Sequence, residues 1–435
     1  MGSVDVPVAL LGYGTVGAAV HRLLEESAEE IERATGHRLR VTHALVRDLQ
    51  KARAFSPDPG VLTDDIAVIL GDPSVQVVAE VMGGVEPAGD YALELLRSGR
   101  PVVTANKQLV ARRGAELFEA ATAGGVQLRF EASVCAAIPV IKVLRESLIV
   151  TNVHRVLGIV NGTTNFILSA METGRTYADA LADAQQLGFA EVDPTEDVGG
   201  LDAAAKTAIL ATVAFGSRVP LDWVSVEGIE SVTLDHVAAA RALEMHVKLI
   251  GRASLVDRRV DVRVGPAFVD RHHPLAAVEG AFNAVMLQGD AIREITLEGP
   301  GAGGIETASA VVADMVSVVG TTGTGFLQND PVWRDLEQLP PGEFASPFYL
   351  RLEVEDRAGV LARIAQELAA QGVSVAQLMQ QPGDGRAVLH VVTHEAPAGN
   401  VDAALAAIRT LPESRGDATA MPVISGRGVE KLGWA

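Results

Sequence analysis

The hexamer Gly12-Tyr13-Gly14-Thr15-Val16-Gly17 limits what this chain can fold into more than any other feature, because of what stands on either side of it. Residues 6–11 before it form a short apolar run, and residues 15–34 after it space Val16, Val20, Leu23, Leu24 and Ile31 at helical intervals. A strand, a glycine turn and a helix in that order bring backbone N–H groups and the positive end of a helix dipole to one place, where a pyrophosphate can sit. Gly14 would let backbone approach such a ligand closely. A tight turn that needs Gly12, Gly14 and Gly17 only for packing is the competing reading. Further apolar runs at 40–46, 75–82, 101–104 and 126–132 alternate with helical patterns at 91–97 and 109–123. The expectation is a parallel sheet with right-handed crossovers, a Rossmann-type nucleotide-binding domain over residues 1–132.

At 435 residues the chain exceeds what one core usually holds. Residues 133–330 read as a second α/β body, the catalytic and dimerisation region, with helical patterns at 177–187 and 202–215. Leu339-Pro340-Pro341-Gly342 marks a linker over 331–346, since consecutive prolines sustain no helix and the glycine breaks a strand. In residues 347–435 a strand at 349–354, a helix at 359–370, strands at 373–379 and 387–393, a helix at 401–408 and a strand at 418–424 give a ferredoxin-like order. With 36 Lys and Arg against 55 Asp and Glu, the net charge of −19 repels a phosphate backbone, so nucleic acid is not an expected partner. No uncharged apolar run reaches the roughly 18 residues of a membrane span. The first residues lack the basic region of a secretory signal, and a single cysteine forms neither an intrachain disulfide nor a thiolate zinc cluster. A cytoplasmic protein without membrane contact is expected.

Two lysines stand out among apolar neighbours. Lys107 follows Val102-Val103-Thr104-Ala105-Asn106 at the carboxyl end of a strand, the edge where open α/β sheets bind ligands. Lys206 comes one helical turn after Asp202, so the two share a face; a surface i,i+4 pair is the commoner use of that spacing. Upstream, Glu191, Asp193, Glu196 and Asp197 crowd beside Gly199-Gly200, which makes either a cradle for an ammonium group or a solvated acidic loop. Asn161-Gly162-Thr163-Thr164-Asn165 offers hydroxyls and a helix N-cap after the apolar run 156–160. Gly299-Pro300-Gly301-Ala302-Gly303-Gly304 is a second glycine-rich approach to a helix, without the lysine of a P-loop. Arg47, closing the second strand, meets a 2′-phosphate in one reading and is a solvated surface arginine in the other. Gly83-Gly84 would let the chain pass close to a nicotinamide or form an ordinary loop. Cys135, among Ala and Val, reads as a small buried hydrophobe unless a base lies beside it. His272-His273 show no third metal ligand.

Taken together, LGYGTVG, VVTANKQLV, FEASV, GIVNGTTNFIL, LGFAEVDPTEDVGGLDAAAK and GPGAGGIETASAVVAD occur in this order, and the set resembles the homoserine dehydrogenase family over residues 6–320. The segment YLRLEVEDRAGVLARIAQELAAQGVSV resembles an ACT regulatory domain. The resemblance implies reversible NAD(P)-dependent interconversion of L-aspartate 4-semialdehyde and L-homoserine on the route to threonine and methionine, with NADP(H) preferred and NAD(H) usable. It makes Lys206 the catalytic acid/base, Lys107 a second active-site lysine, and Glu191, Asp202, Asp197 and Thr163 substrate-binding groups. Cofactor contacts fall to Tyr13, Thr15, Val16, Arg47, Gly83, Lys107, Gly188 and Gly303. A sodium ion is implied at Glu131 and at backbone groups of Val134, Ala136 and Ile138, although Cys135-Ala136-Ala137 stands where the family commonly has glycines. A homodimer or homotetramer, and threonine as an inhibitor at the turn Asp356-Arg357-Ala358-Gly359, are implied as well; Ala358 replaces the proline usual there.

The chemistry suits lysine. Hydride addition to an aldehyde builds negative charge on oxygen, which an ammonium group stabilises and protonates. Burial or a second nearby lysine would lower the amine's pKa toward the working range. Two other readings compete: an aspartate-semialdehyde dehydrogenase with Cys135 as nucleophile, and a sensor that binds ligands without turnover.

Overall fold

The computed structural model describes residues 4–320, 335–383, 385–416 and 418–424. Parts of the expected domains and linker, residues 1–3, 321–334 and 425–435, lie outside the described residues. The N-terminal body is a six-stranded parallel sheet in the order Leu62–Thr63, His37–Leu45, Val4–Leu11, Val77–Glu80, Val102–Thr104, Leu128–Arg129. The order turns back beside Val4–Leu11, which opens a crevice at the carboxyl ends of that strand and of Val77–Glu80. The single helical pattern over 15–34 is two helices, Thr15–Glu26 and Ala28–Thr35, broken at Ser27.

Helix Gly304–Gly320, expected in the second body, packs on the first. Its stripe of Ala308, Val311, Met315 and Val318 shares one core with Val8, Leu10, Val20 and Val77, so the chain returns to the dinucleotide fold after crossing the second body.

The second body has an antiparallel sheet in the order Arg293–Pro300, Phe282–Gly289, Val153–Ile159, Met245–Val256, Arg259–Asp270. Helix Leu201–Phe215 lies on it and is buried along most of its length through Ala203, Ala204, Ala205, Ala208 and Ala211. Small residues bring helix and sheet close: a Cβ on Gly251 would fall 2.3 Å from Thr207 Oγ1. That close seating carries Lys206 into the interior.

The C-terminal body is ferredoxin-like as expected, with strands ordered Thr419–Ile424, Phe348–Glu355, Arg386–Thr393, Val375–Pro382 and helices Val360–Ala370 and Ala398–Arg409. Its sheet continues the second body's sheet, because Val423 and Ile424 pair with Phe268 and Val269, and Tyr349 stacks on Phe268 with ring centroids 4.1 Å apart. Among the described residues no helix is long and apolar enough to cross a membrane.

Candidate active site

The dinucleotide turn separates its three glycines by role. A Cβ on Gly12 would lie 2.8 Å from the Val81 carbonyl oxygen and one on Gly17 2.3 Å from that of Gly12, whereas a Cβ on Gly14 would meet nothing within 4 Å. Gly12 and Gly17 serve packing; Gly14 leaves open space over the start of helix Thr15–Glu26. No side chain caps that helix, so its first N–H donors are available to an anion. The residues present therefore fit a nucleotide pyrophosphate. Tyr13 is turned inward, its hydroxyl 2.6 Å from His21 Nδ1, which leaves its backbone at the turn. The glycine-rich segment before Gly304–Gly320 comes alongside, since a Cβ on Gly304 would lie 2.8 Å from Thr15 Cγ2, and Gly303 has a left-handed φ of 137°. Arg47 is exposed past the end of His37–Leu45 and pairs with no described residue.

The two lysines meet at one carboxylate. Lys107 opens helix Lys107–Gly124, capped by Asn106, and its Nζ is 2.7 Å from Asp202 Oδ1. Lys206 Nζ is 2.9 Å from Asp202 Oδ2 and donates to the Val160 carbonyl at 2.9 Å. With two of its three donors used, one N–H of Lys206 remains for a ligand oxygen. Asn161 completes the cluster: its amide donates to Asp202 Oδ2 at 2.9 Å and to Asp197 Oδ1 at 2.7 Å, while its Oδ1 caps helix Gly162–Glu172 at Thr164. The N-cap is as expected from the sequence; the bridge between two carboxylates is not visible there, because its partners come from distant segments.

Burial alone would push the Asp202 carboxyl up, but the ammonium groups of Lys206 and Lys107 overcome it and hold that carboxyl well below the usual carboxylate range. Burial alone would likewise push Lys206 down, and here the expectation of a lowered lysine is corrected. The Asp202 charge prevails and keeps the amine above its ordinary value, firmly protonated. Asp202's contribution to stability is therefore present at neutral pH and is lost only as pH falls through its depressed value. That of Lys206 is present below the ordinary lysine range and is lost as pH rises through the raised value. Burial pushes Asp197 up, opposed by the Asn161 bond.

Other expected residues are spread more widely. Thr163 is buried and donates to the Phe189 carbonyl at 2.7 Å, which ties helix Gly162–Glu172 to the loop carrying the acidic residues. Glu191 has an exposed side chain, and only its carbonyl is held, by Gln185. Gly188 is an exposed turn residue with φ 77°. Glu131 accepts from the Ile141 and Lys142 N–H groups, both at 2.7 Å, and burial pushes its carboxyl up to about 7. Cys135 and Ala136 have φ of 54° and 40°, the left-handed region where glycine is at ease. Among the described residues the Val134 and Ala136 carbonyls accept no hydrogen bond.

Cys135 lies near Lys206 and is buried; burial pushes its thiol up to about 11, so it is uncharged at neutral pH. Cys135→Ser is expected to keep most of the wild-type activity in a steady-state assay. Complete loss in a folded variant would favour a thiol nucleophile.

A nucleotide turn at the switch point of a parallel sheet, with a lysine–aspartate–lysine cluster that begins at the carboxyl end of another of its strands, has the layout of a nicotinamide-nucleotide-dependent oxidoreductase. Comparison with known proteins narrows this. Residues 12–131 match the family model described as the NAD binding domain of homoserine dehydrogenase, residues 139–316 that of homoserine dehydrogenase, and residues 348–413 that of the ACT domain. The homoserine dehydrogenase of Corynebacterium glutamicum is 42% identical over 398 residues, covering 90% of this chain and 89% of that protein. That of Mycobacterium tuberculosis is 44% identical over 417 residues, 92% of each chain. The crystal structure of a homoserine dehydrogenase from Thiobacillus denitrificans superimposes with a TM-score of 0.92 at 38% identity, covering 98% of this chain and 99% of that one. The chain belongs to the homoserine dehydrogenase family and carries an ACT domain at its C-terminal end.

Proposed function

We propose that this protein reduces L-aspartate 4-semialdehyde to L-homoserine, reversibly, with Lys206 as acid/base, in the synthesis of threonine and methionine. The observation that carries the reading is the Lys107–Asp202–Lys206 cluster at the carboxyl edge of the nucleotide-binding sheet. A bound nicotinamide supplies the hydride. Lys206, kept charged by Asp202, directs its remaining N–H at the aldehyde oxygen, stabilises the developing alkoxide and gives it a proton. Asp197, Glu191 and Thr163 orient the substrate, the carboxylates taking its ammonium group, and the half-exposed Lys107 faces its opposite end. Mixing reduced nicotinamide with aspartate 4-semialdehyde and following loss of the reduced-ring absorbance tests the reaction; a pure sensor leaves the signal unchanged.

NADP(H) is the preferred cofactor in this reading. Its phosphates lie over Gly14 and along the backbone of Thr15 and Val16 in the turn that Gly12 and Gly17 close, with Gly83, Gly188 and Gly303 as further contacts and Arg47 at the 2′-phosphate. A solved hyperthermophilic archaeal relative is a complex with NADPH, at 29% identity. Arg47→Ala is expected to raise the KM for NADPH about tenfold, the weight of one charge-assisted bond, and to leave that for NADH unchanged; equal effects on both would remove Arg47 from the role. A monovalent cation is held in this reading by Val134, Ala136, Ile138 and Glu131; the Val134 and Ala136 carbonyls, which accept no hydrogen bond among the described residues, support it, while the Ile138 carbonyl also accepts from the Val140 N–H at 2.8 Å, and a rise in activity or melting temperature on adding sodium checks this. The ACT domain takes an amino-acid effector, threonine, at the turn before helix Val360–Ala370, and the assembly is a homodimer or homotetramer. Inhibition by millimolar threonine and the mass in solution read both.

A further inference from the structure

Glu80 ends strand Val77–Glu80 and is fully buried, yet its partners are all neutral donors. Its Oε2 accepts from Thr104 Oγ1 at 2.6 Å and its Oε1 from the Met82 N–H at 2.8 Å. Thr104 Oγ1 accepts from the Asn106 N–H at 3.0 Å, and the Asn106 amide reaches back to the Gly84 carbonyl. A closed ring of hydrogen bonds thus joins two loops at the ends of neighbouring strands. One is the Met82-Gly83-Gly84 turn, with φ of 78° and 74° at its glycines. The other is Ala105-Asn106, which leads directly into Lys107 and its 2.7 Å bridge to Asp202. A buried carboxyl among neutral donors costs stability that an apolar side chain at a strand end would not. The ring is what the fold gains in return, and Glu80 is the one member whose two oxygens accept from both loops.

We infer that Glu80 is a positioning residue of the active site, setting the spacing between the Gly83-Gly84 turn on the cofactor side and Lys107 on the substrate side. This rests on the proposed reading, in which Gly83 and Lys107 face cofactor and substrate. Glu80 touches neither ligand and acts through Thr104 and Asn106. Glu80→Ala leaves the Thr104 hydroxyl and the Met82 N–H without an acceptor and lets the two loops move independently. Thr104→Val cuts the same ring at its middle with little change of shape.

The test is direct binding of NADPH, read by its own fluorescence without turnover, together with kcat and KM for both substrates. Expected is a roughly tenfold loss of NADPH affinity in Glu80→Ala, the scale of one unmade buried hydrogen bond, with a matching rise in the cofactor KM and a smaller fall in kcat. Thr104→Val should show part of that loss and add little in the Glu80→Ala background, and Glu80→Gln should restore near wild-type affinity. If Glu80→Ala does not fold, Thr104→Val decides. Folded variants that bind NADPH like wild type, or that lose kcat with cofactor affinity intact, overturn the assignment. Wild-type protein that binds NADPH without reducing the aldehyde would overturn the reading beneath it instead.

Discussion

Lys206→Ala should lower kcat for aldehyde reduction roughly a thousandfold while NADPH binding stays essentially unchanged. The separation follows from place. Lys206 sits on helix Leu201–Phe215 in the second body, bonded to Asp202 and the Val160 carbonyl, whereas the nucleotide turn is built from residues 12–17 of the first. On the proposed mechanism, what the variant loses is the ammonium donor aimed at the reacting oxygen. Because Asp202 keeps Lys107 at 2.7 Å, removing Lys206 does not strand a buried carboxylate, and the variant should remain folded. Stopped-flow reduction with saturating substrates and a fluorescence titration of NADPH read the two quantities separately. Turnover close to wild type would take Lys206 out of the mechanism.

Asp202→Asn should do damage of another kind, to stability as well as rate. One carboxylate pairs with two ammonium groups and accepts from Asn161, and it is almost wholly buried. Taking away its charge leaves Lys206 in the interior with only the weaker pull of Asp197, and breaking a buried pair from one side costs about 3 kcal/mol. The Lys107 pair is partly exposed to solvent and adds less. Denaturant unfolding should show that loss at neutral pH. Aldehyde reduction should fall about a hundredfold in kcat/KM, since both lysines lose their common anchor. A variant as stable as wild type would mean that the two bridges contribute little.

Much of this site is readable from the chain because its chemistry is local. The Gly12–Gly17 turn needs only its flanking strand and helix, and the spacing of Asp202 and Lys206 places them on one helix face. The ferredoxin-like order of the last body follows from alternation and helical spacing alone. What is not readable depends on distance in sequence or on unusual turn chemistry. Asn161 announces itself as an N-cap, but nothing nearby tells that its amide bridges Asp197 and Asp202. The long hairpin Met245–Val256 to Arg259–Asp270 turns at Asp257-Arg258, with φ of 48° and 66°, where Asn-Gly would have marked it. Helix Gly304–Gly320 returns to the first body through packing that no linear division of domains reveals. The upward direction of the Lys206 pKa is hidden from the sequence for a related reason. Burial and a second lysine both argue for a lowered amine, and only the 2.9 Å approach of a buried carboxylate reverses the sign.

The most direct measurement is the pH dependence of kcat for homoserine oxidation in wild type and in Asp202→Asn. On the proposed mechanism oxidation requires Lys206 to accept a proton, so in wild type the rate should climb with pH into the alkaline range set by the raised amine. In Asp202→Asn, burial is opposed only by the weaker pull of Asp197 and Cys135, and the rising limb should move to lower pH. A limb at the same pH in both proteins would contradict the claim that Asp202 holds Lys206 charged for catalysis.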